Sequence, residues 1–297
     1  MKKFLLRVVI FSTLTLIISF GLIALLNSLV QKDGFYHVNE DISSIVVGDS
    51  HPECAFNDSL IDSMKNFAQS GESYFYTYVK LKRILEHNSH IDRVFVEFNN
   101  GQMIKNMDSS IWDDKHVSSK FPKYGFAMEY KELYLLGSHN LSALINAQSI
   151  SVLWNVDLLQ KENRTMYMLD WGGYKRLTND GEELIDSAAS ILKSDSMVVE
   201  HSTVNLEYLL KLVKLCKEKK VEVVFVRSPV HQKYYGRKNE VTFRYIQKKY
   251  FSEIPFLDYQ DMKLEDKDFA DLHHLNYMGA KKFSIYFNNE LKQSQLK

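Results

Sequence analysis

The chain has 297 residues, of which 45% are hydrophobic and 25% are charged; this composition excludes the disordered, collagen-like and coiled-coil classes. Its 37 basic and 37 acidic side chains balance, so we expect no nucleic-acid partner, because polynucleotides bind to a positive surface. The two cysteines, Cys54 and Cys216, are too few for a disulfide scaffold and lack the spacing of metal ligands. We therefore predict no metal site and no organic cofactor.

The first predicted element is an apolar helix near the N-terminus. Residues 8–26 carry no charge, and a helix of that length rises roughly 28 Å, close to the thickness of a bilayer's hydrocarbon core. Lys2, Lys3 and Arg7 precede the run, so the positive-inside rule predicts an extracytoplasmic domain. A cleaved signal peptide is the alternative, but the run is longer than usual and no clear cleavage site follows. We therefore expect residues 1–33 to form an uncleaved, single-pass anchor.

The rest of the chain, residues 34–297, alternates short β-rich runs with helical patterns. This alternation is typical of βαβ units and predicts an α/β domain with a central parallel sheet. In chain order, we predict strands at residues 42–47, 66–70, 93–98, 221–227 and 256–259. Helices are predicted at about residues 55–64, 206–216 and 276–291. The stretch at about 101–195 breaks the alternation and is rich in aromatic residues, so we interpret it as an insertion or cap. Its aromatic side chains would suit packing on a sugar, but such residues more often belong to the core.

The first chemically distinctive segment is Gly48-Asp49-Ser50, which directly follows the first predicted strand. A serine in a strand-turn-helix lies at the carboxyl edge of a parallel sheet, where ligands bind in this architecture. Its hydroxyl also lies near the positive end of a helix dipole. The position favours a nucleophile, although the three-residue motif by itself is also compatible with a turn whose serine caps a helix.

The second segment is Asp271-Leu272-His273-His274, immediately before the terminal helix. A serine attacks an ester only if a base takes its proton, and a histidine does so when a carboxylate holds its other ring nitrogen. The spacing lets Asp271 reach His274, and we expect His273 to point elsewhere. An oxyanion hole is also needed, and Gly71, Asn99 and Asn100 follow predicted strands where its donors would lie.

These segments together resemble the four sequence blocks of the SGNH (GDSL-like) hydrolase superfamily, over residues 42–290 apart from the middle stretch. The resemblance implies a three-layer, flavodoxin-like fold. It also implies that Ser50 is the nucleophile, His274 the base and Asp271 the group that orients the base. The backbone N–H groups of Ser50 and Gly71 and one asparagine side chain would be the oxyanion donors.

The sequence departs from the common superfamily pattern in two places. His51 stands after the serine, where small or apolar residues are frequent. Residues 97–100, Glu-Phe-Asn-Asn, replace the usual Gly-x-Asn-Asp. The second departure leaves the choice between Asn99 and Asn100 as the oxyanion donor open.

An anchored, outward-facing member of this superfamily resembles the proteins that modify cell-surface polymers. The resemblance implies an esterase or O-acyltransferase that acts on an acylated glycan, or on a related small ester, together with a multi-spanning membrane acyltransferase. A catalytically silent module that binds a glycan or such a partner is the alternative. A flavin or receiver-like domain is disfavoured, because the chain has no Gly-rich phosphate loop and no acidic cluster after the first strand. Arg227 and His231 are expected at the sheet's carboxyl edge, as pocket residues or as a polar strand end.

Overall fold

The computed structural model describes residues 1–31, 36–160, 171–182, 185, 200–234, 236 and 239–295. Its first element is a single long helix, α1 (Lys2–Val30). Residues 2–15 and 17–22 of this helix are exposed, whereas one side of its last two turns packs against the rest of the protein. The expected boundary of the anchor at residue 33 lies outside the described residues.

A five-stranded parallel sheet forms the centre of the molecule, as the alternating pattern predicts. Its strands are β1 (Ser44–Val47), β2 (Met64–Asn66), β3 (Arg93–Glu97), β4 (Glu222–Arg227) and β5 (Phe256–Asp258). The spatial order is β2-β1-β3-β4-β5, with every pair parallel. This is the strand order of flavodoxin-like folds. Val47 of β1 pairs with Val96 of β3, which in turn pairs with Phe225 of β4, so these strands end at a common edge.

Helices connect and cover the strands. They are α2 (Ser50–Ala55), α3 (Tyr74–His87), α4 (Asn106–Trp112), α5 (Asp114–Tyr124), α6 (Tyr130–Gln160), α7 (Thr203–Lys219), α8 (Glu240–Tyr250) and α9 (Tyr277–Gln295). Helices α7 and α9 confirm the helices predicted at residues 206–216 and 276–291. In both helices, apolar side chains at helical spacing pack on the sheet.

The two faces of the sheet pack against different helices, which gives three layers. On β1, Ile45 and Val47 point into the core that α3 and α7 complete, whereas Val46 points to the opposite core. That second core contains Phe283 and Phe287 of α9, both fully buried. Burial of a phenylalanine contributes roughly 2–3 kcal/mol, so α9 is tied firmly to the sheet edge where its preceding loop lies.

Two sequence predictions near β2 are wrong. A helix was expected at residues 55–64, but α2 starts earlier because the Asp49 side chain accepts a hydrogen bond from the His51 N–H and caps it. The strand expected at residues 66–70 ends at Asn66. The Asn66 amide turns inward and donates to the carbonyls of Pro52 and Phe56, while its oxygen accepts from the Ala68 N–H. The regular strand therefore ends at Asn66, although the Phe67 and Gln69 N–H groups still donate to the Val46 and Gly48 carbonyls.

The stretch expected to be an insertion, about 101–195, follows β3, and the helices α4, α5 and α6 lie within it. Residues 161–170, 183–184 and 186–195 lie outside the described part. Two of its aromatic side chains, Tyr124 and Trp171, are completely buried. These two side chains therefore belong to the core, the more frequent of the two alternatives for the aromatic residues, and do not face a sugar. The domain boundaries stay a prediction.

Candidate active site

Ser50 lies in a sharp turn at the carboxyl end of β1. Gly48 has φ +147°, and a side chain there would bring a Cβ within 2.5 Å of the Cβ of Glu97 on the neighbouring strand. Only glycine fits this conformation at such a close approach. The turn is completed by the Asp49 cap, so that Ser50 becomes the first residue of α2 and its side chain is partly exposed.

His274 and Asp271 lie in the loop before α9, at the same edge of the sheet. The Asp271 carboxylate accepts hydrogen bonds from the backbone N–H groups of His273 and His274, at 2.7 and 2.9 Å. The loop is closed by a bond from the Ala270 N–H to the His274 carbonyl. Local backbone bonds therefore fix the carboxylate beside the imidazole that follows it.

The three side chains form a continuous chain of hydrogen bonds. His274 Nδ1 is 2.9 Å from Asp271 Oδ2, and His274 Nε2 is 2.8 Å from Ser50 Oγ. Because a carboxylate can only accept, Nδ1 carries the proton and Nε2 accepts from the serine hydroxyl. Burial alone would raise the pKa of Asp271, but the hydrogen bond and charge of His274, together with the backbone N–H bonds from His273 and His274, outweigh it and lower this pKa to about 2. Asp271 is therefore ionised at neutral pH, as an orienting carboxylate must be.

The expected oxyanion residues occupy different surroundings. Gly71 has φ +66° and ends a loop that is tied to the nucleophile turn by a bond from the Gln69 N–H to the Gly48 carbonyl. Asn99 lies beside the turn, where its amide donates to Asp49 Oδ2 at 3.0 Å and to Glu97 Oε1 at 3.3 Å.

Asn100 points away from the serine turn. Its amide donates to Glu240 at 2.7 Å, and its oxygen accepts from Arg227 at 2.8 Å. Position therefore favours Asn99 over Asn100. The roles of Gly71, Asn99 and Asn100 as oxyanion donors stay predictions.

A second histidine–aspartate pair, which the sequence reasoning missed, flanks the serine. His51 Nδ1 is 2.9 Å from Asp49 Oδ1, and both side chains are 10% exposed. Burial alone would lower the pKa of His51, but the Asp49 charge and hydrogen bond outweigh it and raise this pKa to about 9. The His51 ring centre lies 5.6 Å from that of His274. A buried imidazolium therefore stands next to the reaction centre, and the Asp-x-His spacing around Ser50 was the signal for it.

Glu97 completes the buried polar group behind the serine turn. Its carboxylate accepts from the Ser228 N–H and hydroxyl, the latter at 2.7 Å. Burial, together with the nearby Asp49 charge, raises the pKa of Glu97 to about 7. The departure from Gly-x-Asn-Asp at this position thus places a titratable group where the superfamily pattern has glycine.

Arg227 and His231 do lie at the carboxyl edge, with carboxylate partners. Arg227 is ion-paired with Glu240 and Asp258 at the end of β4. His231 Nε2 is 3.1 Å from Asp266. Arg227 also borders the small pocket beside His51. Its charge is balanced by the two carboxylates, and these ion pairs hold β4, β5 and α8 together.

Within the described ranges, no cluster of three or more His, Cys, Asp or Glu side chains is arranged to hold a metal ion. The side chains gathered at the serine are suited to proton transfer and nucleophilic attack.

Comparisons with known proteins found one protein-family model and several solved structures that match this chain. A protein-family model matches residues 183–296, which is less than half of the chain. No curated protein matches the sequence. Among solved structures, a "putative acylhydrolase" from Bacteroides fragilis is 10% identical, with a TM-score of 0.39, over 88% of this chain and 90% of that chain. A GDSL-like lipase from Bacteroides thetaiotaomicron is also 10% identical, with a TM-score of 0.38, over 87% of this chain and 92% of that chain. The assignment of a flavodoxin-like α/β fold depends on the order of the parallel strands described above.

Proposed function

We propose that this chain is a serine-dependent esterase or O-acyltransferase that works through an acyl-Ser50 intermediate. The observation that carries the proposal is the hydrogen-bonded chain from Ser50 Oγ through His274 to Asp271, with distances of 2.8 and 2.9 Å. This arrangement meets the geometric requirement for an activated nucleophile, a base and a group that orients the base.

The chemistry follows from these contacts. Ser50 Oγ attacks the ester carbonyl while His274 Nε2 takes the hydroxyl proton, and the resulting imidazolium is stabilised by Asp271. The tetrahedral intermediate collapses, the alcohol leaves with the proton from His274, and the acyl group stays on Ser50. Water or a sugar hydroxyl then gives its proton to His274 and attacks the acyl carbon, which releases Ser50 as a hydroxyl again.

The negative charge of the tetrahedral intermediate needs fixed donors. We assign this role to the backbone N–H groups of Ser50 and Gly71 and to the side chain of Asn99, which would have to turn from Asp49 toward the substrate. The imidazolium of His51 lies in the same region, where its charge is balanced by the Asp49 carboxylate 2.9 Å away.

We propose an acylated cell-surface glycan, or a related small ester, as the substrate, with a multi-spanning membrane acyltransferase as partner. The long exposed α1 helix supports a membrane location, since it is long and apolar enough to cross a bilayer. The basic residues before it support an extracytoplasmic domain. Both hydrolysis and transfer use the residues named here, and they differ only in whether water or a sugar accepts the acyl group.

The test uses the full chain in detergent with 4-nitrophenyl acetate and a fluorophosphonate probe. The Ser50→Ala variant should lose at least about 10³-fold in kcat/KM, since the nucleophile is gone. Ser59→Ala is the matched control, because Ser59 is exposed and its hydroxyl donates to the side chain of the nearby Asn57. Mass spectrometry should locate the adduct on Ser50. A fully active Ser50→Ala variant would contradict the proposal, and absence of any labelling would favour the silent binding module.

A further inference from the structure

The helix α6 exposes several large apolar side chains, with the uncharged polar residues Ser142, Asn146 and Ser149 exposed among them. It bends at Asn140, where the backbone is not helical (φ −152°, ψ 77°), and a second arm runs from there to Gln160. Along this arm, the exposed apolar side chains are Leu141, Ile145, Ile150, Leu153 and Val156. Leu153 is the most exposed of them, at 72%.

The opposite face of the same arm is the one that packs on the protein. Its buried side chains are Ala143, Ala147, Ser151, Asn155 and Leu158. These positions repeat every three or four residues and therefore form one stripe. Leu158 is also fully buried, and Leu144, Trp154 and Leu159 are partly buried against the core. The arm therefore has apolar side chains on its inner side and on its outer side, whereas an ordinary surface helix has one apolar stripe.

The outer face also lacks charge. No Asp, Glu, Lys or Arg occurs from Leu133 to Val156. The helix α7 shows the usual arrangement for a helix that faces water, with Glu207–Lys211 and Lys214–Glu218 ion pairs on its surface. Soluble proteins rarely expose a contiguous apolar patch of this kind unless something covers it.

The position of α1 indicates what covers the face. Its last two turns pack on α6, and Asn155 of α6 donates a hydrogen bond of 2.8 Å to Asn27 of α1. The length of α1 before this contact, about 20 residues, rises roughly 30 Å, which matches the hydrocarbon core of a bilayer. The contact with α6 therefore lies where α1 leaves the membrane, and Leu153 and Val156 lie within one turn of it.

We infer that the outer face of the second arm of α6 rests in the lipid of the bilayer surface. An amphipathic helix in this position inserts its apolar side chains about 5–10 Å into the boundary between headgroups and acyl chains. Here the opposite side of the helix packs on the rest of the protein and does not face water. The inference rests on α1 crossing the bilayer, as proposed above, but not on the catalytic activity. Its consequence is that the domain sits in a fixed orientation on the membrane and does not swing on a free tether.

The test places a fluorescent NBD label on single introduced cysteines in the full chain. The native Cys54 and Cys216 can stay, because burial raises the pKa of each thiol to about 12 and keeps it unreactive at neutral pH. Ile145→Cys and Leu153→Cys report on the proposed face. Ile285→Cys on α9 is the matched control, since it is a similarly apolar, exposed helix position. Leu14→Cys reports on α1.

The labelled proteins are reconstituted into vesicles of phosphatidylcholine and phosphatidylglycerol that contain doxyl-labelled lipid. Labels at positions 145 and 153 should be quenched by the lipid several-fold more strongly than the label at position 285, and less by aqueous iodide. The inference is overturned if positions 145 and 153 behave like position 285 while position 14 is quenched. If lipid does not quench the label at position 14, α1 does not cross the bilayer and the inference is overturned as well. Esterase activity of the same samples tests the catalytic proposal separately.

Discussion

The buried pair of Asp49 and His51 gives the serine turn a second charged group besides the His274–Asp271 pair. Asp49 accepts hydrogen bonds from His51, Asn99 and Gln102, so both of its carboxylate oxygens have donors. Breaking a buried pair leaves an uncompensated charge and costs more than a surface ion pair contributes. We therefore expect His51 to stabilise the fold near Ser50 through its charge, in a way that depends on pH.

Replacing His51 by Gln should remove part of the pH dependence of stability. The folded pKa of about 9 lies above the ordinary value of 6.5, so the contribution of His51 is fully present below pH 6.5 and is lost as the pH rises through 9. It amounts to at most about 3 kcal/mol. Denaturant unfolding of the full chain in detergent, at about pH 6 and about pH 9.5, measures it. The wild type should lose more unfolding free energy over this interval than His51→Gln; equal losses would show that His51 does not titrate as described.

At the scale of elements, the turn between β1 and α2 decides where Ser50, the proposed nucleophile, points. The β1 strand is enclosed between β2 and β3, and Glu97 of β3 leaves no room for a side chain at Gly48. The loop after β2 is tied to the same turn through the Gln69 N–H. The close packing of β1, β3 and the loop after β2 therefore depends on Gly48.

The Gly48→Ala variant should disturb both the fold and the site. The added Cβ would meet Glu97 Cβ at 2.5 Å in a backbone conformation unfavourable for alanine, at a cost of about 1–3 kcal/mol. We expect a lower denaturation midpoint together with slow fluorophosphonate labelling, because Ser50 moves relative to His274. Gly137→Ala is the comparison, since only flexible leucine side chains lie near that added Cβ. A normal rate of labelling in Gly48→Ala would refute this account of the turn.

For the whole molecule, the end of α1 and the Ser50 turn lie near opposite ends of α3. Asn88, which ends α3, donates to the Tyr36 carbonyl and accepts from the Val38 N–H in the segment after α1. At the other end of α3, the Tyr74 hydroxyl donates to the Glu97 carbonyl at the catalytic edge. The 14 residues of α3 rise roughly 20 Å between these points, which separates the catalytic edge from the place where α1 joins the domain. Val30 at the end of α1 is fully buried, and this supports an anchor that stays attached.

The proposed topology predicts where a reporter is active. Alkaline phosphatase fused after Lys297 should be active, because the C-terminus would lie outside the cytoplasm, and a fluorescent protein that folds only in the cytoplasm should be dark there. Changing Lys2, Lys3 and Arg7 to Glu should reduce the phosphatase signal, since these charges set the orientation. An inactive phosphatase with a fluorescent counterpart would place the domain in the cytoplasm and contradict a cell-surface substrate.

The sequence by itself determined the features that depend on the spacing of residues close together in the chain. Alternation of apolar runs predicted the parallel sheet, with four of its five strands placed within about two residues. The spacing of Asp271 and His274 in one loop predicted their contact. These features depend on residues close together in the chain, or on periodicities that a single face of an element imposes. The charge-free run near the N-terminus predicted α1 for the same reason.

Only the tertiary structure decided which distant groups face one another. It brought His274 to Ser50 across 224 positions of sequence, paired His51 with Asp49 behind the serine, and placed Asn99 rather than Asn100 beside the turn. It also moved the ends of α2 and β2, because the Asp49 and Asn66 side chains bond to backbone groups that the apolar pattern does not reveal. Such choices depend on the few hydrogen-bond donors and acceptors that packing brings within about 3 Å of each other, and linear spacing does not encode that proximity.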